Sequence, residues 1–175
     1  MTYQAVLNRI RSDTKRKLMS AWSMYGKGYI DRPQFLQLAE AILGRSGESA
    51  ARAADLAVSV ELSRLNGRIE ASKGVSAARK RNTYMDSLVT VLDGDGDILM
   101  KLERLGLNAP LEAAQSAYGD AVAMSDATGW VRQMDADPCQ LCRWWWREGQ
   151  VWRIDHSMPT HSGCECVARL VKKEK

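Results

Sequence analysis

The amino-acid sequence predicts a mainly α fold, in which a multi-helix body is followed by a small C-terminal β-hairpin module. Apolar side chains recur at the three- and four-residue spacing of amphipathic helices through most of the chain before residue 135. From Trp130 onward this spacing gives way to prolines, glycines and clustered tryptophans, and residues 150–154 alternate as in a short strand. We therefore predict two parts, a helical body over residues 1–135 and a C-terminal module over residues 136–175.

The body begins with two predicted helices. The first extends from about Tyr3 to Gly26, and its apolar face consists of Leu18, Ala21, Trp22 and Tyr25. The second begins after Asp31, whose carboxylate can cap it, and has Pro33 in its first turn. We expect this second helix to end at Gly44.

The rest of the body is also predicted to be helical. A third helix covers about 48–66, and a fourth is centred on 84–92 and ends at the glycine-rich run DGDGD at 93–97. Asp97 can cap a short helix through Leu105, and we expect Pro110 to separate it from a last helix that ends near Asp126. The apolar faces of these helices would form the core.

Composition and charge restrict the classes of function. Of the 175 residues, 45% are hydrophobic and 26% are charged, values typical of a globular protein. No stretch approaches the run of about 20 apolar residues that a membrane span requires, and the basic N-terminal residues lack the apolar core of a signal peptide. The net charge of +4 is too small to indicate nucleic-acid binding by itself. We expect neither a membrane location nor secretion.

The four cysteines lie within 28 residues and predict a metal site. Without a signal peptide, such a group indicates metal ligation more than disulfides, and two structural disulfides are the alternative. Cys139 and Cys142 form a Cys-x-x-Cys turn whose thiolates can bind one ion, and a second ligand pair roughly 20 residues later completes a tetrahedron. The candidates for that pair are His161, Cys164 and Cys166. Four protein ligands leave no open coordination position, so the expected metal is a structural zinc.

One stretch offers an enzymatic alternative. The run DHSMP at 155–159 resembles the Asp-His-x-x-Pro turn of HNH nucleases, in which His156 would be the general base and the paired cysteines would hold a structural zinc. His156 is also a weaker candidate metal ligand. The nuclease pattern continues with an Asn and a metal-binding His, but the 19 residues after His156 contain no Asn and no histidine except His161. We therefore predict that the chain is not an enzyme.

Three runs near the C-terminus follow one another in a recognisable order: WVRQMDADPCQLC at 130–142, GQVW at 149–152 and HSGCECVARLV at 161–171. Together they resemble the C-terminal module of the MuF-like minor head proteins of tailed bacteriophages, in particular the actinobacteriophage branch. Members of that branch show a Trp-x-Arg leading into Asp-x-Cys-x-x-Cys, a short Gly-x-Val-aromatic strand and a closing His-x-x-Cys-x-Cys strand. The run at 87–105 resembles their helical body less specifically.

The resemblance implies a structural function in the virion. MuF-like proteins are minor capsid components at the portal region inside the head, present in few copies and linked to head morphogenesis and genome delivery. For this chain the resemblance implies a place in the capsid interior, assembly in the host cytoplasm, and contacts with the portal or the major capsid protein and with packaged DNA. It implies no small-molecule substrate. The family body and module account for nearly all of the chain, which leaves no room for the protease or toxin domain of some relatives.

Three consecutive tryptophans, Trp144, Trp145 and Trp146, lie between Arg143 and Arg147. Relatives often have smaller apolar residues at this position. Consecutive side chains cannot all face one way in a helix or a strand, so at least one ring is expected to point outward. We expect two rings to cover the metal site and the exposed one, with its flanking arginines, to contact a partner protein rather than DNA.

A zinc-dependent nucleic-acid-binding protein is the remaining alternative. From Cys139 onward the chain has seven basic and four acidic residues. Binding would use the basic side chains of this part: Arg143, Arg147, Arg153, Arg169, Lys172 and Lys173. Such binding would weaken steeply as the salt concentration rises.

Overall fold

The structure, a computed structural model, describes residues 2–77 and 81–172. Four helices form most of the body: α1 (Tyr3–Gly26), α2 (Arg32–Asn66), α3 (Arg81–Asp93) and α4 (Ile98–Ala123). Three strands follow, β1 (Gly129–Gln133), β2 (Val151–Arg153) and β3 (Val167–Val171), and a short helix, α5 (Gln140–Trp146), lies between β1 and β2. The predicted mainly α fold with minor β is confirmed.

Side-chain caps begin three of the helices. Thr2 accepts a hydrogen bond from the Ala5 N–H at 3.2 Å, and Asp97 accepts one from the Met100 N–H at 3.0 Å. Asp31 accepts from the Gln34 N–H at 2.9 Å while the Gln34 side chain accepts from the Asp31 N–H, which completes a capping box. The predicted caps at Asp31 and Asp97 are therefore confirmed.

The prediction that Gly44 ends a helix is wrong, because α2 continues without a break to Asn66. Glycine in a helix interior costs about 1 kcal/mol relative to alanine, which packing can offset. The residues on both sides of Gly44 keep the helical spacing of buried positions, with Leu43 before it and Ala50 and Ala51 after it in the core. The left-handed residue that ends the helix is Gly67.

The prediction that Pro110 separates two helices is also wrong, because Pro110 lies inside α4. Proline removes one backbone hydrogen bond and costs roughly 3 kcal/mol in a helix interior. Here both halves of the helix bury apolar side chains in the core, including Leu102 before the proline and Leu111 after it. Tertiary packing thus keeps the two predicted helices in one continuous helix.

The helices pack closely through small side chains. Where α2 and α4 meet, the buried positions are mostly alanines: Ala50, Ala51, Ala54, Ala113, Ala114 and Ala117. At the crossing of α1 and α4, a Cβ atom on Gly106 would lie 2.9 Å from Lys15 Cα. One apolar cluster, with Phe35 and Leu88, lies towards α3, and a second lies towards the sheet.

The sheet has the strand order β2-β1-β3, and both pairings are antiparallel. β1 thus lies between the two strands predicted from the sequence. Trp130 of β1 and Ala168 and Leu170 of β3 are buried in the same cluster as Leu111 and Tyr118 of α4. β1 and β3 are therefore packed on the helical body, although β1 precedes the predicted boundary at residue 135. The division at that residue stays a prediction.

A buried carboxylate holds the connection between α2 and α3. Asp55 is 4% exposed and accepts backbone N–H groups from Lys73 at 2.7 Å, Gly74 at 2.8 Å and Val75 at 3.3 Å. Ser59 adds a hydrogen bond to the Glu70 carbonyl at 2.6 Å. The loop is thus attached to the middle of α2. Among the helices of the described residues, none is long and apolar enough to cross a membrane.

Candidate metal centre

The five candidate ligands lie in one stretch, residues 134–166, which connects β1 to β3 and is called the ligand segment below. Cys139 precedes α5 and Cys142 lies in its first turn, while His161, Cys164 and Cys166 come from the return path just before β3. Across the sheet Gln133 pairs with Val167, so the two ends of the segment lie side by side. The pairing of β1 with β3 therefore brings the two halves of the ligand set together.

The ligand atoms form two adjacent groups, in each of which the atoms lie close together. His161 Nε2 lies 3.2 Å from Cys139 Sγ and 3.2 Å from Cys142 Sγ, and Cys142 Sγ lies 3.5 Å from Cys164 Sγ. Cys139, Cys142 and His161 form one group with all ligand atoms within 4.8 Å, and Cys142, Cys164 and Cys166 form another. A tetrahedral zinc site with bonds of about 2.3 Å places its sulfurs about 3.8 Å apart. The cluster could hold a metal ion, and Cys142 belongs to both groups.

The ring of His161 is oriented for metal binding. Its Nδ1 lies 2.9 Å from the Ser162 carbonyl oxygen, so a proton on Nδ1 is donated to that carbonyl. This tautomer leaves the lone pair of Nε2 directed at the two thiols of Cys139 and Cys142. Trp145 contacts the same ring, with the ring centroids 6.0 Å apart.

A buried guanidinium lies beside the thiols. Arg132 of β1 is 1% exposed, and its Nη1 lies 3.9 Å from both Cys142 Sγ and Cys164 Sγ. Its Nη2 donates to the Pro159 carbonyl, and the Trp145 ring lies 5.2 Å from its Cζ. Among the described residues, Nε has no hydrogen-bond partner. The guanidinium thus joins β1, the return path and the tryptophan to the thiol cluster.

Contacts among the thiols shift their pKa values in opposite directions. The Cys142 backbone N–H lowers the pKa of the Cys139 thiol, and burial raises the pKa of Cys142 to about 12. A hydrogen bond between Cys166 and Cys164 raises the pKa of the Cys166 thiol and lowers that of Cys164. Cys139 and Cys164 are therefore the thiols that ionise more readily. All four cysteines are free, so the disulfide alternative is not observed.

Side chains of the helical body attach the return path of the ligand segment. Arg11 of α1 forms an ion pair with Glu165, and Gln115 of α4 donates to the Cys164 carbonyl. Asn108 of α4 donates to Ser162 Oγ at 2.8 Å. The residues that carry half of the ligands are thereby held on α1 and α4.

A cleft of about 670 Å³ lies between α4 and the ligand segment. Glu112 and Gln115 line it from the helix, and His156, His161 and Cys166 line it from the other side. One edge of the candidate metal centre therefore borders this cleft.

The tryptophans predicted as partner contacts occupy three consecutive positions of α5. Trp144 is 65% exposed, whereas Trp145 and Trp146 are half-buried. Of the two flanking arginines, Arg143 donates to the Pro138 carbonyl at 3.0 Å, and the Arg147 guanidinium lies 5.7 Å from the Trp152 ring. At least one ring thus points outward and one lies against the candidate ligand His161, and contact with a partner stays a prediction.

Several residues of the nuclease and nucleic-acid-binding alternatives already contact other groups of the chain. The His156 ring stacks on Trp152, with centroids 4.6 Å apart and planes 14° apart, and it is not in either group of ligand atoms. Arg153 pairs with Asp155 at 2.6 Å and Lys172 with Asp126 at 3.0 Å, so their charges are already compensated within the chain. Arg169 is exposed, and Lys173 lies outside the described residues.

Sequence reasoning missed Arg132 and Asp135. Asp135 Oδ2 lies 3.6 Å from Cys166 Sγ. Arg132 is the arginine of the Trp-x-Arg pattern before the Cys-x-x-Cys, so the sequence singled out its position but not its burial. Because β1 was not predicted as a strand, this position could not be identified as buried. In comparisons with known proteins, no family model, no curated protein and no solved structure matches the chain.

Proposed function

We propose that the chain is a structural minor head protein of a tailed bacteriophage, without enzymatic activity, and that a zinc ion stabilises its C-terminal end. The observation that carries the proposal is the ligand cluster. The cysteines and the histidine that make up the MuF-like motifs, from Cys139 to Cys166, are the same side chains that form two adjacent groups of candidate ligands, which share Cys142. The order of the motifs supports the MuF-like family, and the clustering of the cysteine and histidine side chains supports a common structural role for them.

Zinc is the metal that this donor set favours. Thiolate and imidazole ligands in a tetrahedral arrangement are typical of structural zinc sites. The ligand segment contains little secondary structure, because α5 has 7 residues and β2 has 3. Binding of zinc to such a segment supplies folding free energy directly. Four protein ligands would close the coordination sphere, which suits a structural and not a catalytic ion.

The partners that we propose are the portal and the major capsid protein, with packaged DNA as a further contact inside the capsid. Trp144, with Arg143 and Arg147 beside it, is the contact that we assign to the protein partner. Exposed tryptophan and arginine side chains are enriched at the positions that dominate binding energy. The protein would assemble in the host cytoplasm and remain in the virion interior.

Quantitative mass spectrometry of purified particles tests this function. We expect the chain at a low, fixed ratio to the major capsid protein in full particles and in particles emptied of DNA. Loss together with the genome would identify it as an ejected protein instead. Absence from both kinds of particle contradicts the virion role, and a steep loss of DNA binding with salt would then favour the nucleic-acid-binding alternative.

A further inference from the structure

Arg132 is a buried cation that no carboxylate neutralises. It is 1% exposed, and in the part of the chain that the structure describes no Asp or Glu forms an ion pair with it. A buried charge is costly unless a partner of opposite charge compensates it. The groups that its Nη1 faces, at 3.9 Å each, are the sulfurs of Cys142 and Cys164. Neutral thiols cannot neutralise a guanidinium, whereas metal-bound thiolates can.

We infer that Arg132 is the counter-ion of a metal centre formed by Cys139, Cys142, His161 and Cys164, and that Cys166 remains outside this centre as a thiol. The inference rests on the metal centre proposed above and adds its ligand set and its charge. Arg132 is a positioning residue in this arrangement, because it contacts the ligands and not the ion.

The contacts of Cys166 separate it from the other candidates. Its Sγ lies 3.6 Å from Asp135 Oδ2, a geometry in which a thiol donates to a carboxylate. A thiolate at the same place would put two negative charges side by side in a part-buried site, which is unfavourable. Cys166 is therefore suited to remain a thiol that donates its one proton to Asp135, outside the ligand set.

The contacts of His161 place it inside the ligand set. Its Nε2 lies 3.2 Å from the sulfurs of both Cys139 and Cys142, and its Nδ1 is held by the Ser162 carbonyl. A metal-binding histidine usually donates a hydrogen bond from its other ring nitrogen, often to a backbone carbonyl. If the four cysteines were the ligands, the His161 ring would be held in this orientation without binding the ion.

The charge of the assembly supports the same set. A divalent ion bound by three thiolates and one neutral imidazole has a single net negative charge, which one guanidinium balances. With four thiolates the centre would have twice that charge, which one guanidinium does not balance. The set with His161 is therefore the one whose own charge Arg132 balances.

Two cysteine variants of the full chain test the ligand set, with zinc alone as the probe. We expect Cys166→Ser to bind one zinc ion per chain like the wild type, and Cys164→Ser to lose stoichiometric zinc. With Co²⁺ in place of zinc, Cys166→Ser should keep the sulfur-to-metal charge-transfer intensity of the wild type, because the number of thiolate ligands is unchanged. Loss of zinc or of that intensity in Cys166→Ser overturns the assignment.

Substitutions of Arg132 test the counter-ion, in competition with a chelator for zinc. We expect Arg132→Met to weaken zinc binding by about 10- to 100-fold, the range typical when a group that contacts the ligands of a metal is replaced. Arg132→Lys keeps the charge and should lie between Arg132→Met and the wild type. Arg153→Met is the control, because Arg153 is an exposed arginine on β2 that pairs with Asp155 and not with a thiol.

The outcomes distinguish this inference from the proposal that it rests on. A wild-type chain without stoichiometric zinc overturns the metal centre itself. A wild type that binds zinc while Arg132→Met binds it equally well overturns the counter-ion alone. Equal weakening by Arg132→Lys and Arg132→Met also overturns it, because shape and not charge would then be responsible; circular dichroism of the helices shows which variants are folded.

Discussion

At the residue scale, the absence of one methyl group at Gly106 sets the distance between two helices. A Cβ atom there would lie 2.9 Å from Lys15 Cα and 3.3 Å from Lys15 N, both atoms of the α1 backbone. A backbone cannot move aside as the end of a flexible side chain can. The contact therefore requires glycine although α4 would otherwise gain from alanine.

We expect Gly106→Ala to lower the free energy of unfolding by about 1–3 kcal/mol, because overpacking at the crossing outweighs the better helix propensity. Gly119→Ala is the matched control, since Gly119 is an exposed residue of the same helix with no atom within 4 Å of its Cβ position. That control should raise stability by up to about 1 kcal/mol. Urea denaturation measures both values, and changes of the same sign would contradict the steric explanation.

The candidate ligands were predictable residue by residue, whereas their surroundings were not. Cys-x-x-Cys and His-x-x-Cys-x-Cys are local patterns whose chemistry follows from the spacing alone. The roles of Arg132 and Asp135 depend on the sheet, which turns Arg132 inward and places Asp135 beside Cys166. Contacts across 31 residues of chain, such as that between Asp135 and Cys166, leave no local signature.

At the element scale, two helices were predicted too short because local sequence signals do not include tertiary packing. Gly44 and Pro110 are helix-ending residues by propensity, and both lie within continuous helices. Propensity measures the preference of an isolated segment, whereas most helical stability in a protein comes from packing of the apolar face. The caps at Asp31 and Asp97 were predictable because capping is itself a local interaction.

The Asp55 carboxylate is expected to determine the order of the loop between α2 and α3. We predict that Asp55→Asn lowers the free energy of unfolding by about 1.5–3 kcal/mol, the range for hydrogen bonds to charged groups. The amides of Lys73, Gly74 and Val75 donate to the two oxygens of Asp55, and the NH₂ group that replaces one oxygen cannot accept, so part of this set should exchange hydrogen faster.

Hydrogen exchange followed by mass spectrometry resolves this loop. Asp120→Asn serves as the control, since Asp120 is an exposed acid on α4. Faster exchange spread over all helices, and not concentrated at residues 67–77, would show that Asp55 stabilises the body as a whole and not its loop.

At the scale of the whole molecule, the metal is expected to stabilise the ligand segment and not the fold around it. β1 and β3, which flank the segment, bury Trp130, Ala168 and Leu170 in the core of the body. Removal of the metal by a chelator should therefore free residues 134–166 while the helices, β1 and β3 persist.

Limited trypsin digestion compares the protection of the ligand segment with that of the helices within one chain. We expect the chelator to accelerate cleavage after the exposed residues Arg143, Arg147 and Arg153, and added zinc to restore protection. Exposed arginines of α2, such as Arg45 and Arg52, provide the internal reference. Equally accelerated cleavage there would mean that the body depends on the metal.

The mainly α class was predictable because helical periodicity repeats over long stretches of this chain, and the strand at 151–153 because its residues alternate. The three-stranded sheet was not, because β1 has 5 residues and contains Arg132 in place of an apolar side chain. Short strands are defined by their partners, and those partners are remote in sequence.

The ion pair between Arg11 and Glu165 joins residues 154 positions apart, and it has a consequence for the timing of folding. Contacts between remote residues close large loops and form after local ones, so the helices are expected to assemble before the return path docks on α1. The centre would then be completed last, on a body that is already built. Scarcity of the ion should accordingly delay the final maturation of a nearly finished protein and leave its earlier folding steps unaffected.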